Sequence, residues 1–126
     1  MIFIHKPKLS CEEIEDRIEE DAKKINLMLK HHYPFSANLP EMGFKINEYA
    51  GVFELCKGGL AAKLLNIQPE LNILMPCRIS VYRKDGVNYV STPDLSVQLE
   101  ILGCDKVLKK DILSLYEEIT SMIKNW

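Results

Sequence analysis

The sequence lacks any dense run of lysine or arginine, although it contains 16 basic residues against 18 acidic ones. Nucleic-acid-binding proteins gain much of their affinity by neutralising phosphates with clustered positive charge. The formal net charge of −2 therefore disfavours a nucleic-acid partner. No apolar run reaches the roughly 18 residues of a membrane span, so no membrane partner is expected either.

Recognisable catalytic and metal-binding motifs are absent as well. The sequence contains no Cys-x-x-Cys pair, no His-Glu-x-x-His motif and no glycine-rich phosphate loop. These absences leave no basis for naming a reaction, a cofactor or a metal ion. Whether the protein is an enzyme stays open at this point.

The amino-terminal segment shows no basic region followed by a long apolar stretch, so no secretory signal is predicted. We therefore expect a cytoplasmic protein, in which the four cysteines remain reduced thiols. The length of 126 residues and the apolar content of 47% are sufficient for one domain, residues 1–126, that folds without disulfides.

A helix is predicted near the start of the chain, where Ser10 and Glu13 form a capping box. Apolar residues then recur at steps of three and four, which predicts a helix that ends near His31 and His32. Adjacent residues on a helix diverge by about 100°, so these two histidines are not expected to share a metal ion. Proline and glycine interrupt residues 34–43, which are predicted to be a loop.

Further elements follow from the same local signals. The predictions are a strand within Phe44–Cys56, a short helix at Leu60–Leu65, a helix from Pro93 to Leu102 and a final helix capped by Asp105. In the final helix, apolar residues at steps of three and four predict one buried face.

The clearest local signal is the dipeptide Asp85-Gly86, which lies between two runs of β-branched and aromatic residues. Asp-Gly favours a type I′ turn, so we predict a two-residue hairpin. That register sets Tyr82 opposite Tyr89, and opposed residues share a face of the sheet. The predicted inward face carries Cys77, Ile79, Val81 and Val90. The predicted outward face carries Arg78, Ser80, Tyr82, Tyr89 and Ser91.

The hairpin and its surroundings resemble a known family. Leu74–Tyr82 (LMPCRISVY) and Val90–Asp94 (VSTPD) resemble the Pro-Cys-Arg strand and the following strand end of the domain of unknown function 302 family. The segment Glu54–Leu65 is similar to the family's strand that runs into a short helix. The resemblance implies an α+β fold, a small antiparallel sheet with helices packed on one face. The implied order is β-α-β-β-β-β-α, like half of the TATA-binding-protein fold.

The chain departs from the family pattern in two places. It has Cys56-Lys57-Gly58 where the family usually has Cys-Asn-Pro. Residues 31–50 also look too short for the strand and helix that family members usually have there. The resemblance implies no activity, because the family has no settled one.

Two hypotheses for function follow from the hairpin. Tyrosines flanked by an arginine and few other charges are typical of interface cores and small-ligand sites. The first hypothesis is a binding or assembly module whose outward face forms a homodimer or, second in preference, binds a small molecule. A solvated sheet face is the plain alternative.

The second hypothesis is a thiol-based redox or sulfur-handling protein centred on Cys77 and Cys56. The plain alternative is that both are small buried hydrophobic residues, which is how free cysteines usually behave. Strand alternation places Cys77 on the inward face and Cys56 on the outward one. We therefore expect the two sulfurs not to converge unless a bulge intervenes.

Overall fold

The computed structural model describes residues 1–126, which form five strands and five α-helices. The strands are β1 (Ile2–His5), β2 (Met28–Tyr33), β3 (Ala50–Cys56), β4 (Cys77–Lys84) and β5 (Val87–Pro93). The helices are α1 (Cys11–Lys23), α2 (Phe35–Glu41), α3 (Gly58–Ile67), α4 (Ser96–Ile101) and α5 (Lys106–Lys124), with a 3-10 helix at Pro69–Leu74. The strands form one antiparallel sheet in the order β1-β5-β4-β3-β2.

This architecture confirms the expected α+β fold. One strand and one long helix are followed by four strands and a final long helix, with α2, α3 and α4 as short insertions. The hairpin is also confirmed: Tyr82 pairs with Tyr89 and Ser80 pairs with Ser91. Asp85 and Gly86 both have positive φ, as the type I′ turn requires.

The main hydrophobic core lies on one side of the sheet, between the inward face and helices α1 and α5. Alternate residues of β3 and β4, such as Phe53 and Ile79, are almost completely buried and pair directly across the two strands. Helix α1 contributes Ile14 and Ile18, and α5 contributes Ile119 among others. The alternation of side chains along the strands thus separates this inward face from the outward one.

The first helix begins as predicted but ends earlier. The capping box is present, with Glu13 N donating to Ser10 Oγ at 3.1 Å. The helix stops at Lys23, because Asn26 adopts a left-handed conformation (φ +58°) and Leu27 turns into the core. The predicted continuation to the histidine pair was wrong, since pairing with β3 takes residues 28–33 into the sheet.

The histidines consequently lie on a strand, not at a helix end. A β-bulge between Leu29 and His31 precedes them, and His31 then pairs with Glu54 and His32 with Phe53. The two imidazoles therefore occupy opposite faces of the sheet.

The segment predicted to be a loop contains helix α2, and the expected shortening of residues 31–50 was wrong as well. Both the strand and the helix of this region are present. The short helix is held by tertiary contacts: the Phe35 ring stacks on Tyr33 at 5.8 Å, and Ser36 Oγ donates to the Ala50 carbonyl at 3.3 Å. These tertiary contacts stabilise a helix in a segment where Pro34 and Pro40 disfavour one locally.

The carboxyl-terminal elements follow their local signals. The side chain of Asp105 accepts hydrogen bonds from Val107 N and Leu108 N, so it caps α5 as predicted. Helix α4 is shorter than expected, beginning at Ser96, whose backbone N–H and hydroxyl both donate to Asp94. No helix is both long and apolar enough to span a bilayer.

Candidate functional site

The outward face of the sheet extends well beyond the hairpin. One row of mutually paired residues crosses all five strands. Its members are Ile4, Ser91, Ser80, Val52 and Tyr33. Because directly opposed residues share a face, Ile4 on β1 and Tyr33 on β2 flank the hairpin residues predicted from the sequence. Ile2, two residues before Ile4, adds a second apolar side chain to the same face.

Two tyrosines form the aromatic part of this face. The rings of Tyr82 and Tyr89 stack with their centroids 5.2 Å apart and an interplanar angle of 17°. The Lys6 ammonium lies 5.8 Å from the centre of the Tyr89 ring, within cation–π range. Both tyrosine side chains are half-buried, and each ring packs against the other.

An ion pair lies beside the aromatic pair. Arg78 Nε donates to Glu54 Oε2 at 3.1 Å, as expected for residues paired across β3 and β4. The Glu54 side chain is only 10% exposed, whereas that of Arg78 is 61% exposed. A hydrogen bond to Glu54 and the charge of that carboxylate also raise the pKa of the Tyr33 phenol. The charges of Glu54 and Arg78 therefore neutralise each other.

Apolar side chains on the outward face are accessible to solvent. Ile2 is 64% exposed, Ile4 is 55% exposed and Tyr33 is 38% exposed. Neither hydrophobic core includes a residue of this face. Sequence reasoning found the hairpin part of the face but missed these three residues, because their orientation depends on how β1 and β2 pair with distant strands.

The two candidate cysteines line the same cavity. Cys56 and Cys77 both line a small cavity of about 40 Å³ with Lys57 and Leu60. Cys56 is the last residue of β3, where the chain leaves the sheet for α3. The residue directly opposite Cys77 is Leu55, on the inward face as predicted.

The electrostatic environment of Cys77 disfavours a thiolate. Burial raises the pKa of its thiol to about 11, and the nearby Cys56 adds to this shift while Lys57 opposes it. Lys57 is itself engaged, with its Nζ 3.2 Å from Glu118 Oε1. All four cysteines are free thiols. No group of three or more His, Cys, Asp or Glu side chains lies close enough together to hold a metal ion.

Comparisons with known proteins show which family the chain belongs to. Residues 4–126 match the family described as "Domain of unknown function DUF302". The chain belongs to the DUF302 family. No curated protein matches the sequence.

A solved DUF302 structure has the same fold. It is the crystal structure of an uncharacterized conserved DUF302 protein from Bacillus stearothermophilus, with a TM-score of 0.85. The two sequences are 19% identical, and the alignment covers 96% of this chain and 94% of that one. At this identity the likeness concerns the DUF302 fold alone, and it assigns no ligand, partner or reaction.

Proposed function

We propose that the protein is a small assembly module that forms a homodimer through its outward face. The observation that carries this proposal is the exposure of Ile2, Ile4 and Tyr33 around the stacked pair Tyr82 and Tyr89. Contiguous exposed apolar and aromatic surface is uncommon on monomers and marks interaction sites. Tyrosine is also enriched among residues that contribute most to binding energy.

The size of the face supports a protein partner. Strands spaced about 4.8 Å apart, with about 3.3 Å per residue, make a five-stranded face of about 24 by 20 Å. Because side chains project from the sheet, the accessible area of this face is larger than its flat outline and approaches the roughly 800 Å² per partner that standard interfaces bury. Of the five predicted outward-face residues only Arg78 lines one of the four principal cavities, and that cavity lies on the helix side of the sheet. A face without a cavity favours a protein partner over a small molecule.

The charge distribution supports a second copy of this chain as that partner. Glu54 and Arg78 neutralise each other within one face, so this pair adds no net like-charge repulsion between two copies. A twofold axis through the face would bring identical patches together, which is the commonest arrangement among homo-oligomers.

Sedimentation velocity over a micromolar concentration series tests the proposal. The native protein is expected to sediment as a dimer. Replacing Tyr82 with alanine removes a central aromatic contact and should raise the dimer dissociation constant at least tenfold, about 1.4 kcal/mol. Ile4→Glu buries an unpaired charge and should leave only monomer.

The matched control is Ile101→Glu, since Ile101 is an equally apolar side chain, 78% exposed, on α4. It should dimerise like the native protein. Circular dichroism and thermal melting establish that each variant is folded. A native protein that stays monomeric at high micromolar concentration, or Ile4→Glu and Ile101→Glu variants that behave alike, contradicts the proposal.

A second candidate function is favoured by the cavity that Cys56 and Cys77 share. Two thiols in one cavity are the starting point for reversible oxidation, in which disulfide formation passes two electrons and two protons to an oxidant. The raised pKa of Cys77 disfavours it as the attacking thiolate, which leaves Cys56 for that role. Mass spectrometry after equilibration in glutathione redox buffers tests this candidate. Formation of a Cys56–Cys77 disulfide would support this candidate function. Absence of that disulfide in the most oxidising glutathione buffer would contradict the candidate.

A further inference from the structure

A larger cavity, of about 230 Å³, lies on the helix side of the sheet near the ends of β4 and β5. Helices α4 and α5 close it opposite the sheet. Its walls are mostly leucine, isoleucine and proline side chains. Its polar lining consists of Cys77, Arg78, Thr92, Gln98 and Tyr116. This combination of apolar walls and a few polar groups is typical of small-molecule sites.

Apart from Arg78, the polar groups that line the cavity are uncharged at neutral pH. Burial raises the pKa of both the Cys77 thiol and the Tyr116 phenol. Thr92 Oγ1 donates to the Arg78 carbonyl at 2.8 Å, so its hydroxyl proton is already used. The only charged lining residue is Arg78, and its guanidinium is paired with Glu54. An ionic ligand would therefore find no counter-charge in the interior.

Among the side chains that line the cavity, one buried polar atom has no hydrogen-bond partner. Gln98 Oε1 is buried, and no hydrogen-bond donor of the protein reaches it. Buried acceptors are almost always hydrogen-bonded, since leaving one unsatisfied is costly. Because Gln98 lines the cavity, a rotation of its side chain would turn this oxygen towards the cavity, where a ligand's N–H or O–H group would satisfy it.

The volume limits what fits. An apolar cavity of about 150 Å³ in another protein holds one benzene molecule. By proportion, about 230 Å³ holds a bicyclic aromatic ring of roughly nine heavy atoms.

We propose that this cavity binds a small, uncharged, mostly apolar molecule of bicyclic size, whose single hydrogen-bond donor is received by Gln98 Oε1. Of the five predicted outward-face residues the site shares only Arg78, and it does not depend on the homodimer. It also needs no reactive cysteine, because Cys77 only lines the wall.

A pair of isosteric probes tests the proposal on the full-length protein. Indole carries an N–H donor, whereas benzofuran has the same shape without one. Titrations followed by amide ¹H–¹⁵N NMR spectra should show indole binding at least fivefold more tightly than benzofuran. The shifts should centre on Thr92, Gln98 and Tyr116. Equal affinities in the native protein would overturn the assignment of the donor to Gln98, and shifts centred elsewhere would overturn the site.

Two variants and one control complete the experiment. Gln98→Leu removes the acceptor and should bring the two probes to the same affinity. Leu95→Trp fills the cavity from its wall and should abolish binding of both. Ile101→Trp, at an exposed position that does not line the cavity, should bind indole as the native protein does.

Thermal melts establish that the variants are folded. Indole binding that survives both Gln98→Leu and Leu95→Trp, or no binding at millimolar probe, overturns the proposal. Repeating the titration with Ile4→Glu separates the two proposals. Loss of dimerisation in that variant should leave indole affinity unchanged.

Discussion

Iodoacetamide modification of the native protein at about pH 7.5 should be markedly slow at Cys77, because the reagent attacks the thiolate. Burial raises the pKa of this thiol from 9.0 to about 11. Two pKa units lower the thiolate fraction at neutral pH about 100-fold. A thiolate of higher pKa is the better nucleophile, which restores about tenfold of this loss. We therefore expect Cys77 to react about tenfold more slowly than an unstructured cysteine, before any steric protection.

The assay compares modification of Cys77 in the native and urea-unfolded protein by quenched time courses and peptide mass spectrometry. In the native protein the rate should also keep rising with pH beyond 9, where an ordinary thiol levels off. Lys57→Met removes a charge that lowers the pKa of Cys77, so it should slow the reaction further. Native Cys77 that reacts as fast as in urea, or faster, would refute this reasoning and restore Cys77 as a candidate nucleophile.

Three further predictions concern stability, each measured by urea denaturation. Ile79→Ala should cost about 2–5 kcal/mol, because Ile79 is fully buried against Phe53, and a loss below about 1 kcal/mol would contradict that packing. Asp105→Ala should cost about 1 kcal/mol by removing the cap of α5, and no loss would mean that the cap is not formed. Burial lowers the pKa of His32 below 6.5, so the unfolded state takes up more protons and stability should fall as pH drops below about 6.5. His32→Phe should reduce this acid sensitivity, and identical pH profiles would contradict the assignment.

Local signals were sufficient for the hairpin and for the final helix. The Asp85-Gly86 turn determines its own register through backbone geometry, and the Asp105 cap acts on the next three residues. Both predictions were confirmed because no distant residue is needed to decide them. The inward and outward faces of β4 and β5 followed directly from the turn.

Distant pairing explains what the sequence did not reveal. Met28 and Leu29 continue the helical spacing, yet they begin β2 because this strand pairs with the distant β3. The same applies to Ile4, whose place on the outward face follows only from its pairing with Ser91.

The most direct test of the proposed homodimer is an isotope-filtered NOE experiment on an equal mixture of ¹³C,¹⁵N-labelled and unlabelled protein. Such spectra detect only contacts between different chains. The outward-face interface predicts intermolecular contacts from the Tyr82 and Tyr89 ring protons to Ile4 and Tyr33 of the other copy. Spectra without intermolecular contacts at concentrations where the native protein should be dimeric, or with contacts confined to the helices, would contradict it.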